Sequence, residues 1–182
     1  MTFANALMLI INDKTFRPFI SADAIQTRIQ ELAGQINEAY ADQKPLLVVV
    51  LNGAFLFAAD LMKNLTIPCE ITFIRVASYT ATESTGQLKQ ILGLSESVAN
   101  RHLIVIEDIV DTGLTISEVC EQLSAQNPAS IAIATLLFKP AALKNKIDLH
   151  YVGFEIENQF VLGYGLDYDG LGRNTKDILV LE

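Results

Sequence analysis

The sequence predicts an α/β fold, a mainly parallel twisted sheet flanked by helices. Two observations carry that reading. Strand-length apolar runs alternate along the chain with stretches of helical periodicity. The strand runs are continuously apolar, which suits a parallel sheet covered by helices on both faces.

Taken in order, Ser21 to Ala41 is the first strong helix, because Ile25, Ile29, Leu32, Ile36 and Tyr40 recur at helical spacing. Ser21 can cap it, and Ile20 can staple onto Ile25. Leu46 to Leu51 reads as a buried strand, and Ala54 to Lys63 as a helix entered through the turn Asn52-Gly53. Glu70 to Val76 alternates as a strand. Leu103 to Ile106 is an apolar strand that ends in two acids, Glu107 and Asp108. After Ile109 and Val110, a polar turn from Asp111 to Thr115 leads into a helix that begins near Thr115. That helix continues through Glu118 to Ala125, where Asn127-Pro128 stops it. Ile131 to Phe138 and Tyr151 to Glu155 are further strands. No repeat, low-complexity tract or Pro/Gly-rich linker marks a boundary, so residues 1–182 are read as one domain.

Composition narrows the function classes. Half the residues are hydrophobic (51%), yet the best membrane candidate, Leu46 to Met62, is broken by Asn52-Gly53 and Asp60. No basic residue precedes the apolar part of the N-terminus, so a cytoplasmic enzyme is expected rather than a secreted one. With 13 Lys+Arg against 21 Asp+Glu, the chain lacks the basic footprint that nucleic acid or an anionic membrane requires. Cys69 and Cys120, with the distant His102 and His150, form no metal-binding spacing. Both cysteines are expected to be buried or incidental.

In such a sheet, ligands bind at the carboxyl ends of the strands. Asn52-Gly53, Glu107 to Thr115 and Lys139 all follow strands and should therefore converge. Gly113 permits a turn closed to other residues, and the helix after it aims backbone N–H groups and its dipole at an anion. A terminal phosphate fits there, with Thr112 and Thr115 hydroxyls as further donors. A Walker A loop is absent. Two carboxylates beside a phosphate cradle would repel the ligand unless ribose hydroxyls donate to them or a divalent cation bridges them to phosphate. Asp111 is then placed for proton transfer to the group joining or leaving the sugar.

The segment Val105-Ile106-Glu107-Asp108-Ile109-Val110-Asp111-Thr112-Gly113-Leu114-Thr115 resembles the phosphoribosyl pyrophosphate (PRPP) signature of type I phosphoribosyltransferases. More narrowly, the chain is similar to the hypoxanthine (hypoxanthine-guanine) phosphoribosyltransferases, in order from about Ile10 to Leu181. That resemblance implies a small hood built from the chain ends and an enzyme that makes a purine nucleotide and pyrophosphate from PRPP, with Mg²⁺. It implies that Glu107 and Asp108 meet ribose hydroxyls or metal, that Asp111 is the general acid/base, and that Thr112, Gly113, Leu114 and Thr115 cradle the 5′-phosphate. Lys139 would donate to the purine's exocyclic oxygen, Phe160 would stack on the base, and Val161 would contact its edge. Asp167 would bind Mg²⁺ near the base, and Arg173 would bind pyrophosphate. The polar run Ala77 to Gln87 would be a lid that brings Ser78 and Tyr79 into the site. A homodimer or homotetramer is also implied.

One position departs from the pattern. Many members carry Lys-Gly in the pyrophosphate turn, where this chain has Asn52-Gly53. Two other functions share the fold: a PRPP-sensing regulator that binds nucleic acid, and a transferase for a pyrimidine base. The acidic balance opposes the first, and Lys139 with Phe160-Val161 opposes the second. Preference among hypoxanthine, guanine and xanthine stays open in the sequence.

Overall fold

Residues 8–77, 89–94 and 96–182 are described by the computed structural model. The chain opens with an antiparallel pair, β1 (Leu9–Ile11) and β2 (Lys14–Ile20). Helix α1 (Ala22–Ala39) follows, and the Ser21 hydroxyl caps it by accepting from the Ala24 N–H at 3.2 Å. Its apolar stripe of Ile25, Ile29, Leu32 and Ile36 is buried. Next come β3 (Leu46–Leu51), α2 (Phe55–Asn64), β4 (Glu70–Ala77) and β5 (Lys89–Leu92). The chain then forms β6 (His102–Val110), α3 (Leu114–Ser124), β7 (Ser130–Phe138) and β8 (Tyr151–Glu155). Two short strands, β9 (Val161–Leu162) and β10 (Ile178–Leu181), close it.

The main sheet has the order β5-β4-β3-β6-β7-β8. All neighbours from β4 to β8 pair in parallel, and β5 runs antiparallel at the edge. The continuous apolar strands have the cause the sequence suggested. Leu47 and Val49 of β3 pack with Ile104 and Ile106 of β6 toward α1 and α2. Their neighbours Leu46, Val48, Leu103 and Val105 face the other way, toward Ile116, Val119 and Leu123 of α3. Each face therefore buries its own set of side chains, and no alternation with polar residues survives.

The second sheet, β1-β2-β10-β9, joins the two chain ends and is antiparallel throughout. This is the hood that the resemblance implied. Its small core is Ile11, Phe16, Leu162 and Leu179.

One strand differs from its expected bounds. β6 does not stop at Ile106 but runs on to Val110, so Glu107 and Asp108 lie within the strand. The reason is the partner: β7 extends far enough to pair Glu107 with Thr135, Ile109 with Leu137 and Val110 with Phe138. A backbone ladder continues where a neighbour offers donors and acceptors, whatever the side chains carry. The expected lid residues Ser78 and Tyr79 lie outside the described residues. Cys69 and Cys120 are free and partly buried, and burial pushes the Cys120 thiol up to about 11. No helix among the described residues is long and apolar enough to cross a membrane.

Candidate active site

The turn between β6 and α3 forms a bowl of about 90 Å³ lined by Glu107, Asp111, Thr112, Gly113, Thr115 and Ile116, with Ile109 and Val110 behind. Gly113 sits at its base with φ +81°, a conformation that favours glycine. A Cβ there would come within 2.5 Å of Ile147 Cδ1 and 2.9 Å of Leu143 Cδ1, both side-chain ends that can shift, so the left-handed φ is what calls for glycine. The loop is tied down from outside, since the Lys144 N–H donates to the Thr112 carbonyl at 3.0 Å. The Ser117 N–H is bonded to the Gly113 carbonyl at 3.0 Å. The N–H groups of the turn before it have no acceptor within the helix and carry its positive end. The bowl's size and these N–H groups suit an anion such as phosphate.

Glu107 borders the bowl and is only 8% exposed. Among the described residues its Oε2 is the buried side-chain oxygen without a hydrogen-bond partner. Burial first, and the neighbouring Asp108 charge second, push its carboxyl well above the usual range. Burial raises Asp108 as well, against the hydrogen bond it accepts from the Ile109 N–H at 2.8 Å. Two acids are thus held side by side in a place that favours their neutral forms. A cation or a set of sugar hydroxyls would relieve both.

Gly53 touches this pair directly. A Cβ on Gly53 would overlap the Asp108 carboxylate, and one on Gly165 would overlap the Gly53 carbonyl. Asp108, the Asn52-Gly53 turn and the Gly163 to Gly165 strap are therefore stacked without intervening side chains. Beyond the strap, Arg173 Nη1 donates to the Gly165 carbonyl at 2.6 Å, and Nη2 pairs with Asp167 at 2.6 Å. The guanidinium's charge favours ionised Asp108, which ties this arm electrostatically to the acids. Asn52 is exposed, and the Leu51–Asn52 peptide is cis.

Lys139 and Asp111 meet across the ends of β6 and β7. The Lys139 ammonium lies 3.0 Å from Asp111 Oδ2, and its backbone N–H donates to the Val110 carbonyl at 2.9 Å. Lys139 is 6% exposed, whereas the Asp111 side chain is 44% exposed. The expected convergence of the three strand ends is thus present: Gly53 on Asp108, and Asp111 on Lys139.

Phe160 and Val161 belong to the hood. Val161 pairs with Val180 of β10 and is buried. Phe160 is 42% exposed, its ring centroid 6.1 Å from Phe16 and 5.8 Å, edge-on, from Tyr168. An exposed aromatic braced from behind by two others presents one face outward. Tyr168 is itself fixed, donating to Asp13 at 2.7 Å and accepting from Lys14 at 3.0 Å.

The description Phosphoribosyl transferase domain matches residues 21–169, most of the chain. The chain belongs to that family. Its relatives include the hypoxanthine-guanine phosphoribosyltransferase of Bacillus subtilis (strain 168), 43% identical over 164 residues, covering 90% of this chain and 91% of the relative. The hypoxanthine-guanine-xanthine phosphoribosyltransferase of Tritrichomonas foetus is 38% identical over 171 residues, covering 93% of each. A crystal structure of a hypoxanthine-guanine phosphoribosyltransferase from Bacillus anthracis superposes with a TM-score of 0.86 at 32% identity. That superposition covers 97% of this chain and 99% of the other.

For a phosphoribosyl transferase the metal question bears on Glu107, Asp108 and Asp167. Among the described residues no three or more His, Cys, Asp or Glu side chains group closely enough to hold an ion by themselves. Asp167 is engaged by Arg173 and by the Gly170 N–H at 2.7 Å. Mg²⁺ is commonly held by one or two carboxylates with water and substrate phosphate, so two adjacent carboxylates with an unpartnered buried oxygen fit it. The sequence reading missed the strap Gly163-Tyr164-Gly165 and the aromatic brace. The strap's signal was present, because a tyrosine between two glycines in an otherwise apolar stretch marks a close backbone approach.

Proposed function

We propose that this chain is a purine-salvage enzyme that transfers the 5-phosphoribosyl group of PRPP to hypoxanthine, giving IMP and pyrophosphate, with guanine as the alternative acceptor giving GMP. The observation that carries it is the Lys139–Asp111 pair, 3.0 Å apart at the two strand ends beside the phosphate bowl. A 6-oxopurine offers an exocyclic oxygen and an imidazole nitrogen side by side on one edge. Lys139 donates to the oxygen, and Asp111 takes the proton from the nitrogen. The relatives' names agree with that substrate class.

The purine's other imidazole nitrogen bonds to C1 of the ribose, and the C1–oxygen bond to pyrophosphate breaks. Asp111 accepts the proton that the imidazole sheds, so charge stays balanced as the nucleotide forms. The bowl's N–H groups, with Thr112 and Thr115, hold the 5′-phosphate and fix C1 relative to the base. Glu107 and Asp108 accept from the ribose hydroxyls. Arg173 and the Asn52-Gly53 backbone receive the leaving pyrophosphate, and Arg173's planar fork suits that task. Phe160 stacks on the base, and Val161 meets its edge through the backbone. Glu107 and Asp108 would hold Mg²⁺ together with water and substrate phosphate, with Asp167 as a further candidate ligand, and the ion would offset the charge of the departing pyrophosphate. Ser78 and Tyr79 are proposed to cover the site and exclude water. A cytoplasmic homodimer or homotetramer is the form we expect to act.

Incubation with PRPP, Mg²⁺ and each of hypoxanthine, guanine and xanthine tests this reading. Nucleotide and pyrophosphate should appear in equal amounts with hypoxanthine. Failure with all three purines would remove the assignment.

A further inference from the structure

Three consecutive residues of the strap have positive φ: Gly163 at +100°, Tyr164 at +48° and Gly165 at +101°. Tyr164 is the one that carries a side chain in that conformation, at a local cost. What holds it is visible. Its ring is buried against the α1–α2 side of the sheet, and its hydroxyl donates to Asp60 Oδ2 at 2.5 Å. Asp60 belongs to α2, the helix that leaves the Asn52-Gly53 turn. Gln26 of α1 donates to the same oxygen at 2.7 Å, and Lys63 pairs with the other at 2.5 Å. Burial and the Asp60 carboxylate both push the Tyr164 phenol upward, so it stays a donor.

The strap touches the site on both sides. Gly165 packs so closely under the Gly53 carbonyl that no Cβ fits, and its own carbonyl accepts from Arg173 at 2.6 Å. The Gly165 N–H donates back to the Arg173 carbonyl at 2.9 Å. The Asn52-Gly53 turn rides on α2, and Arg173 rides on the strap. The Tyr164 hydroxyl joins those two bodies, chiefly through Asp60 and, at 3.5 Å, through the Leu56 carbonyl of the same helix. We propose that the Asp60–Tyr164 hydrogen bond is a positioning clamp that sets the spacing between the Asn52-Gly53 turn and Arg173, and with it the affinity for pyrophosphate groups. Tyr164 and Asp60 act through the strap and touch no substrate. The inference rests on the reading of the turn and Arg173 as the pyrophosphate seat.

The test is calorimetric titration of inorganic pyrophosphate with Mg²⁺ into the wild-type chain, Tyr164→Phe, Asp60→Ala and Asp60→Asn. Each variant's thermal unfolding is recorded alongside. Tyr164→Phe and Asp60→Ala should each weaken pyrophosphate at least about fivefold, and the double variant should be no weaker than either. Asp60→Asn keeps an acceptor oxygen for the phenol and should restore most of the affinity. In steady-state assays the KM for PRPP should rise by the same factor, with kcat and the purine KM within about twofold. A merely structural role would move every constant together.

Unchanged pyrophosphate affinity in folded Tyr164→Phe overturns the clamp, as does a wild-type chain that does not bind pyrophosphate. If Tyr164→Phe does not fold, the contrast between Asp60→Ala and Asp60→Asn decides the matter, and equal affinities there overturn it. A wild-type chain that binds pyrophosphate but turns over no purine leaves the clamp standing and defeats the proposed function.

Discussion

In the strand-end half of the site, Glu107, Asp108, Asp111 and Lys139 lie at the carboxyl edge of β6 and β7, held by a parallel ladder of buried strands. In the hood half, Phe160, Asp167 and Arg173 lie on turns around short antiparallel strands with a four-residue core. The first half is the bowl, one buried and one partly buried acid and one ion pair, carried on a sheet packed on both faces. The second is a stacking face and a guanidinium arm, held by side-chain and backbone hydrogen bonds. Under the proposed function, bond-making and proton transfer fall to the sheet, and stacking on the base and the guanidinium's grip on pyrophosphate fall to the hood. Damage to the sheet half should lower turnover, and damage to the hood should raise KM.

The most severe break comes at the seam. Gly53→Ala places a methyl group in the Asp108 carboxylate. Turnover should fall about a hundredfold or more, as for an ångström-scale misplacement of reacting groups. Near-wild-type kinetics would show that the turn can shift without consequence. Within the sheet half, Asp111→Asn removes the proton acceptor while leaving the bowl intact. It should lower kcat at least about tenfold and leave the Kd for PRPP unchanged. In the hood, Phe160→Ala should raise the hypoxanthine KM about fivefold with kcat preserved, the size expected for one lost aromatic contact. A fall in kcat instead would erase the division of labour.

The smallest effect concerns pH. The folded chain keeps a proton on Glu107 after the unfolded chain, with a carboxyl near 4.5, has released it. The folded state then binds more protons, so stability falls as pH rises through this range. In magnesium-free buffer the unfolding midpoint should drop as pH rises above the unfolded carboxyl's 4.5. The drop should be shallower in Glu107→Gln, and an identical slope would show that burial does not control this carboxyl.

The two halves also differ in how far the sequence revealed them. β3, α2, β7 and β8 were legible within a residue or so, because uninterrupted apolar runs of strand length between helical stretches admit few arrangements. Gly113 and the acids before it stood out for the opposite reason, since polar residues at the end of such a run do nothing for a core. The carboxyl end of β6 was misjudged because polarity was taken to end the strand, when pairing with β7 decided it. In the hood, β1, β2, β9 and β10 carry no periodicity long enough to read, and only resemblance suggested them. Tyr164 carried no role in the sequence. Its contact with Asp60 spans 104 residues, and local pattern holds no trace of a pairing at that separation.

The central claim is that Lys139 and Asp111 together read one edge of a 6-oxopurine while the bowl holds phosphoribose. Pyrophosphate release from PRPP and Mg²⁺, measured side by side with hypoxanthine and with uracil, tests it most directly. Steady release is expected with hypoxanthine and none above background with uracil. Release with uracil at a comparable rate, or with neither base, would contradict it.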